Sequence, residues 1–267
     1  MAFENPTSIE RFSGFADVYN AHRPRPPEVL SDILRELASV PRPRLVVDLG
    51  SGTGLSTRIW VGKADRIIGI EPNPDMRRQA ETATDSTNIT YAAGVSHHTG
   101  LHDAAADIVT ASQALHWMEP ESTFDEVERI LRPGGVFAAY DCDWPPTMGW
   151  EIELAYRTMK QRAAALQHRH ALTSTASRWA KEKHLSRMRA SGCFRFTKEI
   201  TVHSMEMGNA QRLVGLARSY GGVMILLRHG FTEEQVGLKD LAEAAERLLG
   251  PTPRPWYYAY RVRLGVK

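Results

Sequence analysis

The amino-acid sequence predicts one α/β domain built on a seven-stranded, doubly wound sheet, and three observations carry that reading. Short apolar runs alternate with segments of helical period from residue 41 onward. Runs such as Ile67, Ile68 and Ile70 are apolar on both faces, which suits a strand covered from both sides. Turn formers such as Pro133-Gly-Gly135 separate the two kinds of segment. Strands separated by helices argue for a parallel sheet with helices on each face.

The elements follow in order. A first helix opens at Pro27, where a missing N–H costs nothing, and Val29, Leu30, Ile33, Leu34 and Leu37 recur at helical spacing until the prolines at 41 and 43 stop it. Strands are expected at 45–49, 66–70, 88–93, 107–112 and 136–140. Between them lie a short helix holding Leu55, Ile59 and Trp60, a helix capped by Asn73-Pro74 and a helix over 119–131. The alternation then breaks. Two helices, 150–166 and 177–190, form an insertion before a sixth strand at 194–203, helices at 209–219 and 232–249, and a closing strand at 256–264. In that last strand Tyr258, Tyr260, Val262 and Leu264 alternate with Tyr257, Ala259, Arg261 and Arg263, a half-exposed pattern. The whole chain, 1–267, is expected to be a single domain: an N-terminal cap segment and first helix (1–40), a ligand-binding core (41–143), a helical cap insertion (144–192) and a C-terminal completion of the sheet (193–267).

Composition excludes several function classes. A hydrophobic content of 42% and a charged content of 24% are those of an ordinary globular chain. No run approaches the roughly 20 apolar residues of a membrane helix. The first residues read as no secretory signal, so Cys142 and Cys193 are expected as reduced thiols and the protein as cytoplasmic. The net charge of +2 conceals a segregation, since residues 157–200 hold 11 Lys/Arg against two acids. Such a segment suggests an anionic small molecule or a nucleic acid as partner, or a solvated basic face. Sparse aromatic interleaving weighs against nucleic acid.

The most informative stretch is Val46-Val-Asp-Leu-Gly-Ser-Gly-Thr-Gly54. A strand ends, and Gly50, Gly52 and Gly54 permit positive φ and a close approach of ligand to bare backbone. Twenty-one residues beyond Gly50, Glu71 closes the second strand, where a carboxylate accepts both hydroxyls of a ribose. Asp48, two residues before the first glycine, is expected to order the loop and reach a ligand ammonium through water. Leu55 stands where a dinucleotide loop has its third glycine, and the Gly-Lys-Ser/Thr ending of a nucleotide-triphosphate loop is missing. What remains is a ligand with adenosine but no diphosphate, or a glycine turn with no ligand.

These residues resemble motif I and the acidic partner of class I S-adenosylmethionine-dependent methyltransferases. Asp107-Ile-Val-Thr-Ala-Ser-Gln-Ala-Leu-His-Trp117 is similar to their fourth-strand motif, and Arg129-Ile-Leu-Arg-Pro-Gly-Gly-Val-Phe137 to the turn before their fifth strand. Ala114-Leu-His-Trp117 and the placement of the insertion look most like the type 11 group, which includes trans-aconitate-methyltransferase-like enzymes. The resemblance implies S-adenosylmethionine as cofactor. Gly50, Ser51, Gly52 and Gly54 would wrap its amino-acid end, Glu71 the ribose, Met76 and Pro72 the adenine, and Val95, Ser96 and His97 the adenine edge. His97 departs from the pattern, where an acid is usual. Gln113 and Ala114 would line the site beside the sulfonium. Tyr19 and Arg23, in the N-terminal segment, would cover the cofactor, with Arg23 pairing its carboxylate and Tyr19 stacking near the cationic sulfur.

Methyl transfer from a sulfonium asks mainly for positioning and exclusion of water. His116, following the fourth strand, is the candidate base for a hydroxyl or phenol acceptor; the alternative is a wall residue that packs with Trp117. Tyr19 is a second candidate for the catalytic set. No metal is expected, because His97, His98 and His102 lack a completing thiol or carboxylate pair. The expected activity is methylation of a small molecule on oxygen, carboxylate or sulfur. RNA methylation, a cofactor-binding protein without turnover and a nicotinamide oxidoreductase are the alternatives.

Overall fold

A computed structural model describes residues 9, 13–172 and 179–267. The expected sheet is present: β1 (Leu45–Leu49), β2 (Arg66–Ile70), β3 (Ile89–Ala92), β4 (Ala106–Ser112), β5 (Leu131–Cys142), β6 (Phe196–Gly208) and β7 (Arg254–Val266) lie in the order β3-β2-β1-β4-β5-β7-β6. The first five run parallel, and β7 is antiparallel to both β5 and β6. Strand order reverses at β1, with β2 and β3 added on one side and β4 and β5 on the other, so the carboxyl ends of β1 and β4 open a crevice at the switch point.

Helices α1 (Ala16–His22), α2 (Val29–Leu37), α3 (Pro74–Thr82), α4 (Pro120–Ile130), α5 (Trp150–Arg169), α6 (His184–Ala190), α7 (Ala210–Arg218), α8 (Gly221–Arg228), α9 (Glu233–Val236) and α10 (Leu238–Leu248) complete the chain. Two apolar cores flank the sheet. On one side Val46, Ile67 and Ile108 meet Leu30 and Leu34 of α2, while Tyr258, Tyr260 and Val262 meet Leu213, Leu216 and Leu241 of the C-terminal helices. On the other, Val47, Ile68 and Val109 meet Phe124, Val127 and Ile130 of α4. There Phe124, Phe137 and Phe194 pack with ring centroids 5.9–6.1 Å apart, close enough to add aromatic contact energy to simple burial.

The insertion divides between these two cores. Ile152, Tyr156, Met159 and Ala163 of α5 join the first, and Met188 of α6 joins the second. Among the described residues between α5 and α6, Trp179 reaches the segment that follows β4, where its N–H donates to the His116 carbonyl at 2.9 Å.

Several boundaries differ from expectation for local reasons. Of the helix expected at 177–190, residues 177 and 178 lie outside the described residues, 179 and 180 are not helical, Lys181–Lys183 form a 3-10 turn and the α-helix runs over His184–Ala190. The helix after the glycine turn is one 3-10 turn, Thr57–Trp60. The helix expected over 232–249 breaks at Gly237, whose φ of 84° lies in the left-handed region. Helices α1 and α8 were not foreseen. The seven residues of α1 are too few for a period to show, and the Val223–Leu227 run in α8 is apolar without one. In β7 the inward set is as expected, but Arg263 is buried rather than exposed. Its guanidinium donates to Asp141 Oδ2 at 2.9 Å and to Glu199 Oε2 at 2.8 Å, across the neighbouring strands on both sides.

Removing one member of a buried ion pair strands its partner. Arg263→Met is therefore expected to lower the unfolding free energy by about 3 kcal/mol, and Asp141→Asn combined with it to recover part of the loss, as read by urea denaturation. Additive losses would exclude the coupling.

Candidate functional site

The glycine loop owes its shape to φ values of 63°, 56° and 79° at Gly50, Gly52 and Gly54. Space adds a second constraint at two of them. A Cβ on Gly50 would lie 2.8 Å from Ala114 Cβ, and one on Gly54 would meet the Tyr91 hydroxyl and lie 2.7 Å from Arg58 Nη1. At Gly52 a Cβ would meet only Met76 Cε, at 3.8 Å, because it would project into the open crevice.

Two buried carboxylates hold this loop. Asp48 lies behind it, fully buried, accepting from Thr57 Oγ1 and Thr110 Oγ1 at 2.7 Å each and from Ser56 Oγ at 3.3 Å. Burial raises its pKa to about 6 against the lowering pull of those three hydroxyls. Asp48 thus ties the loop's far side to β4 and lines neither cleft described below. Glu71 lies in front. Its Oε2 accepts the Gly52 N–H and its Oε1 the Asn73 N–H, both at 2.8 Å, and burial again raises its pKa. Asn73 itself caps α3, accepting from the N–H groups of Asp75 and Met76 as the sequence predicts.

A cleft with about 970 Å³ of open space runs from this loop across the ends of β1, β2 and β4. It brings together Tyr19, Gly50, Gly52, Glu71, Pro72, Met76, Val95, Ser96, His97, Gln113 and Ala114. The Ser96 hydroxyl is turned away, bonded to Thr123 Oγ1 at 2.8 Å. A second cleft shares Tyr19, Gly50, Gly52, Ser112 and Gln113 with the first and adds Arg23, Ser51, Thr53, Trp144 and Tyr260. Gly54 lines neither; it shapes the loop from below.

Helix α1 carries the covering residues. Arg23 lies 5.0 Å from the ring centroids of both Tyr19 and Trp144, and its Nη2 donates to the Ser219 carbonyl at 2.9 Å. Asn20 Oδ1 accepts from Arg58 Nη2 at 3.1 Å, and Arg58 Nη1 donates to the Thr53 carbonyl at 2.7 Å, so the helix is tied directly to the glycine loop.

His116 lines neither cleft. Its Nδ1 lies 3.8 Å from Asp141 Oδ1, which is also 2.6 Å from Lys181 Nζ. Gln113 stands between this group and the clefts, its backbone in the left-handed region at φ 54°. Sequence reasoning missed Ser112, Trp117, Met118, Tyr260 and Lys181, and read Trp144 only as part of a Trp-bearing stretch suited to an apolar pocket. For Ser112, Trp117 and Met118, adjacency to the fourth-strand motif was the available signal. Tyr260 and Lys181 arrive from distant segments and carry no local one.

Residues 47–139 match the family model described as a methyltransferase domain. An uncharacterized methyltransferase of Mycobacterium tuberculosis is 32% identical over 144 residues, which cover 54% of this chain and 56% of that one. A yeast protein, from Saccharomyces cerevisiae, provisionally named an S-adenosylmethionine-dependent methyltransferase, is 30% identical over 45% of this chain and 43% of its own. The chain thus spans about half the length of these curated relatives. A solved structure from Anaeromyxobacter dehalogenans, provisionally described as a type II methyltransferase, superposes with a TM-score of 0.66 at 24% identity, covering 91% of this chain and 97% of the other. The fold is therefore that of class I methyltransferase structures. A methyltransferase domain of this kind implies S-adenosylmethionine as its cofactor, and the RNA-directed, turnover-free and nicotinamide alternatives draw no support from these matches. Among the described residues no helix is long and apolar enough to cross a membrane.

Asp48 makes a specific prediction about pH. An acid whose folded pKa is about 6 against an ordinary 3.8 binds protons more tightly when folded. Its contribution to stability is full below pH 3.8 and lost as pH rises through 6, roughly 3 kcal/mol in all. Asp48→Asn should flatten the difference between unfolding free energies measured at pH 4.5 and pH 7; an unchanged slope would place the titration elsewhere. Gly54→Ala, which meets both a positive φ and the Tyr91 hydroxyl, should cost about 2–4 kcal/mol by the same measurement.

Proposed function

We propose that this chain, as the bearer of a class I methyltransferase domain, transfers the methyl group of S-adenosylmethionine to a small molecule through oxygen, carboxylate or sulfur. The observation that carries the reading is the pair of clefts meeting at one glycine loop, with the Glu71 carboxylate on one side and the Arg23 guanidinium on the other.

The residues present fit that cofactor. Each Glu71 oxygen accepts a single N–H, leaving lone pairs for two ribose hydroxyls. Met76 and Pro72 supply an apolar bed, and Val95, Ser96 and His97 the rim for an adenine edge. In the second cleft Ser51 Oγ, Thr53 Oγ1 and Arg23 Nε are buried without hydrogen-bond partners among the described residues, which suits the ammonium and carboxylate of an amino-acid end. Tyr19, Gln113 and Ala114 would flank the cofactor's sulfur, and the Tyr19 ring lies against the Arg23 guanidinium. When bound, the cofactor supplies an activated methyl group on a good leaving group.

The chain's own task is to hold the acceptor in line and keep water out. Helix α1 with Trp144 does the second. His116 faces Asp141 behind the cleft wall, and among the described residues no histidine other than His97 lines either cleft. An acceptor that arrives as an anion, a carboxylate or a thiolate, needs no base and fits best. Likeness of Ala114-Leu-His-Trp117 to the trans-aconitate-methyltransferase-like group points the same way, and the site is read as working without a metal.

Calorimetry with S-adenosylhomocysteine tests the reading. We expect binding by the wild type and a 10–100-fold loss, about 1.5–3 kcal/mol, in Glu71→Ala. Affinity should also fall on acidification at a pH above the ordinary 4.5 of a glutamate, since burial raises the Glu71 pKa and the protonated acid offers fewer lone pairs. No heat with this nucleoside, or an unchanged affinity in Glu71→Ala, would overturn the assignment.

A further inference from the structure

Lys181, from the 3-10 turn before α6, reaches Gln113, which among the described residues is the one with positive φ other than glycine that lines both clefts. Its ammonium donates to Gln113 Oε1 at 3.1 Å and lies 2.6 Å from Asp141 Oδ1. Asp141 is fixed in turn by Arg263 at 2.9 Å, and Arg263 by Glu199 at 2.8 Å. The cation is therefore anchored through a buried carboxylate to β5 and β7 rather than free to swing.

An ammonium has donors only, so the amide beside it must turn its oxygen toward Lys181. The reverse orientation would set an NH2 group against a positive charge. What Gln113 can offer a ligand is then its Nε2 hydrogens, and among the described residues no protein group accepts them. Backbone strain supports a functional placement. A left-handed glutamine costs of order 1 kcal/mol or more, and here it is held by the Gln113 N–H donating to the Tyr140 carbonyl at 2.9 Å.

We propose that Gln113 is a specificity-determining donor and Lys181 the positioning residue that fixes its amide, so that the junction of the two clefts selects an acceptor bearing an anionic oxygen over one bearing N–H groups. This rests on the methyltransferase reading and narrows its acceptor from oxygen or sulfur nucleophiles to oxygen acids. Lys181 acts on the ligand only through Gln113. The Asp141 contact neutralises much of its charge, and the selection arises from hydrogen-bond polarity.

The test uses matched probes: aliphatic and aromatic mono- and dicarboxylates, each beside the amine of the same skeleton. Each is added to the full chain saturated with S-adenosylhomocysteine and followed by the shift in melting temperature. For the wild type, carboxylates should raise the melting temperature and the amines should not. Gln113→Glu, which replaces the donor by an acceptor of the same shape, should reverse that preference. Lys181→Met, which frees the amide to turn over, should erase it, and Lys181→Arg should restore it. Each variant's affinity for S-adenosylhomocysteine is measured alongside. Failure of the wild type to bind that nucleoside sinks the methyltransferase reading itself. Nucleoside binding with no carboxylate response, an equal amine response, or a preference unchanged in Gln113→Glu and Lys181→Met sinks this proposal alone.

Discussion

Everything at this site depends on two carboxylates kept out of water on opposite sides of one glycine loop. Asp48 gathers three hydroxyls behind the loop, and Glu71 takes two N–H groups in front of it. Burying a charged group is expensive unless its lone pairs are satisfied. The loop satisfies them, so the loop and the carboxylates can only be built together. The arrangement also explains why both acids sit at the carboxyl ends of neighbouring parallel strands. Asp48 and Gly69 are paired in register, and Glu71 lies two residues beyond Gly69, just after the end of β2, so the two side chains bracket the turn that leaves β1. Their different surroundings give them different roles. Asp48, closed in by hydroxyls, is structural, whereas Glu71 keeps lone pairs facing the cleft.

Much of this was legible in the sequence because it is local. Glycine spacing, the acid at the end of β2 and the Asn73-Pro74 cap lie in one stretch of 27 residues, 48–74, and each announces its backbone geometry. The sheet was legible because parallel strands buried on both faces are apolar throughout. What local pattern could not show is which residues meet across the fold. Arg263 sits in an alternating strand at a position that reads as solvent-facing, and only the arrival of Asp141 and Glu199 on either side makes burial tolerable. Trp144 and Tyr260 line the second cleft from segments more than a hundred residues apart. Asp48 was expected to order the loop and to reach a ligand ammonium through water, and its position behind the loop agrees with the first of these.

The concentration of positive charge over residues 157–200 has a similar explanation. Read alone it suggests an anionic partner, yet several of these cations are engaged within the molecule. Lys181 meets Asp141 and Gln113, Arg162 meets Asp240, Arg187 lies over Trp179 and donates to the Ala180 carbonyl, and Arg189 donates to Thr197. The charge segregation is thus partly a bookkeeping effect of sequence order: acids that answer these bases lie elsewhere in the chain. Surface pairs of this kind contribute little to stability. Lys181 differs from them because its partner is buried and is shared with Arg263.

That distinction bears on how one fold comes to serve different acceptors. A cofactor loop held from both sides by buried acids has little freedom to vary, since any change to Asp48 or Glu71 leaves polar groups stranded. The insertion has more freedom. Its two helices are secured independently, α5 in one core and α6 in the other, so residues 179–183 can change their side chains without disturbing either anchor. Substrate choice is then best placed where that stretch touches the far wall of the cleft, and Lys181 on Gln113 is such a contact. A strained backbone at the contact point sharpens the effect, because Gln113 cannot relax its main chain to follow a ligand that fits poorly. Variation at the Lys181 side of that contact leaves the buried acids of the glycine loop undisturbed, while Gln113 itself stays in the wall of both clefts.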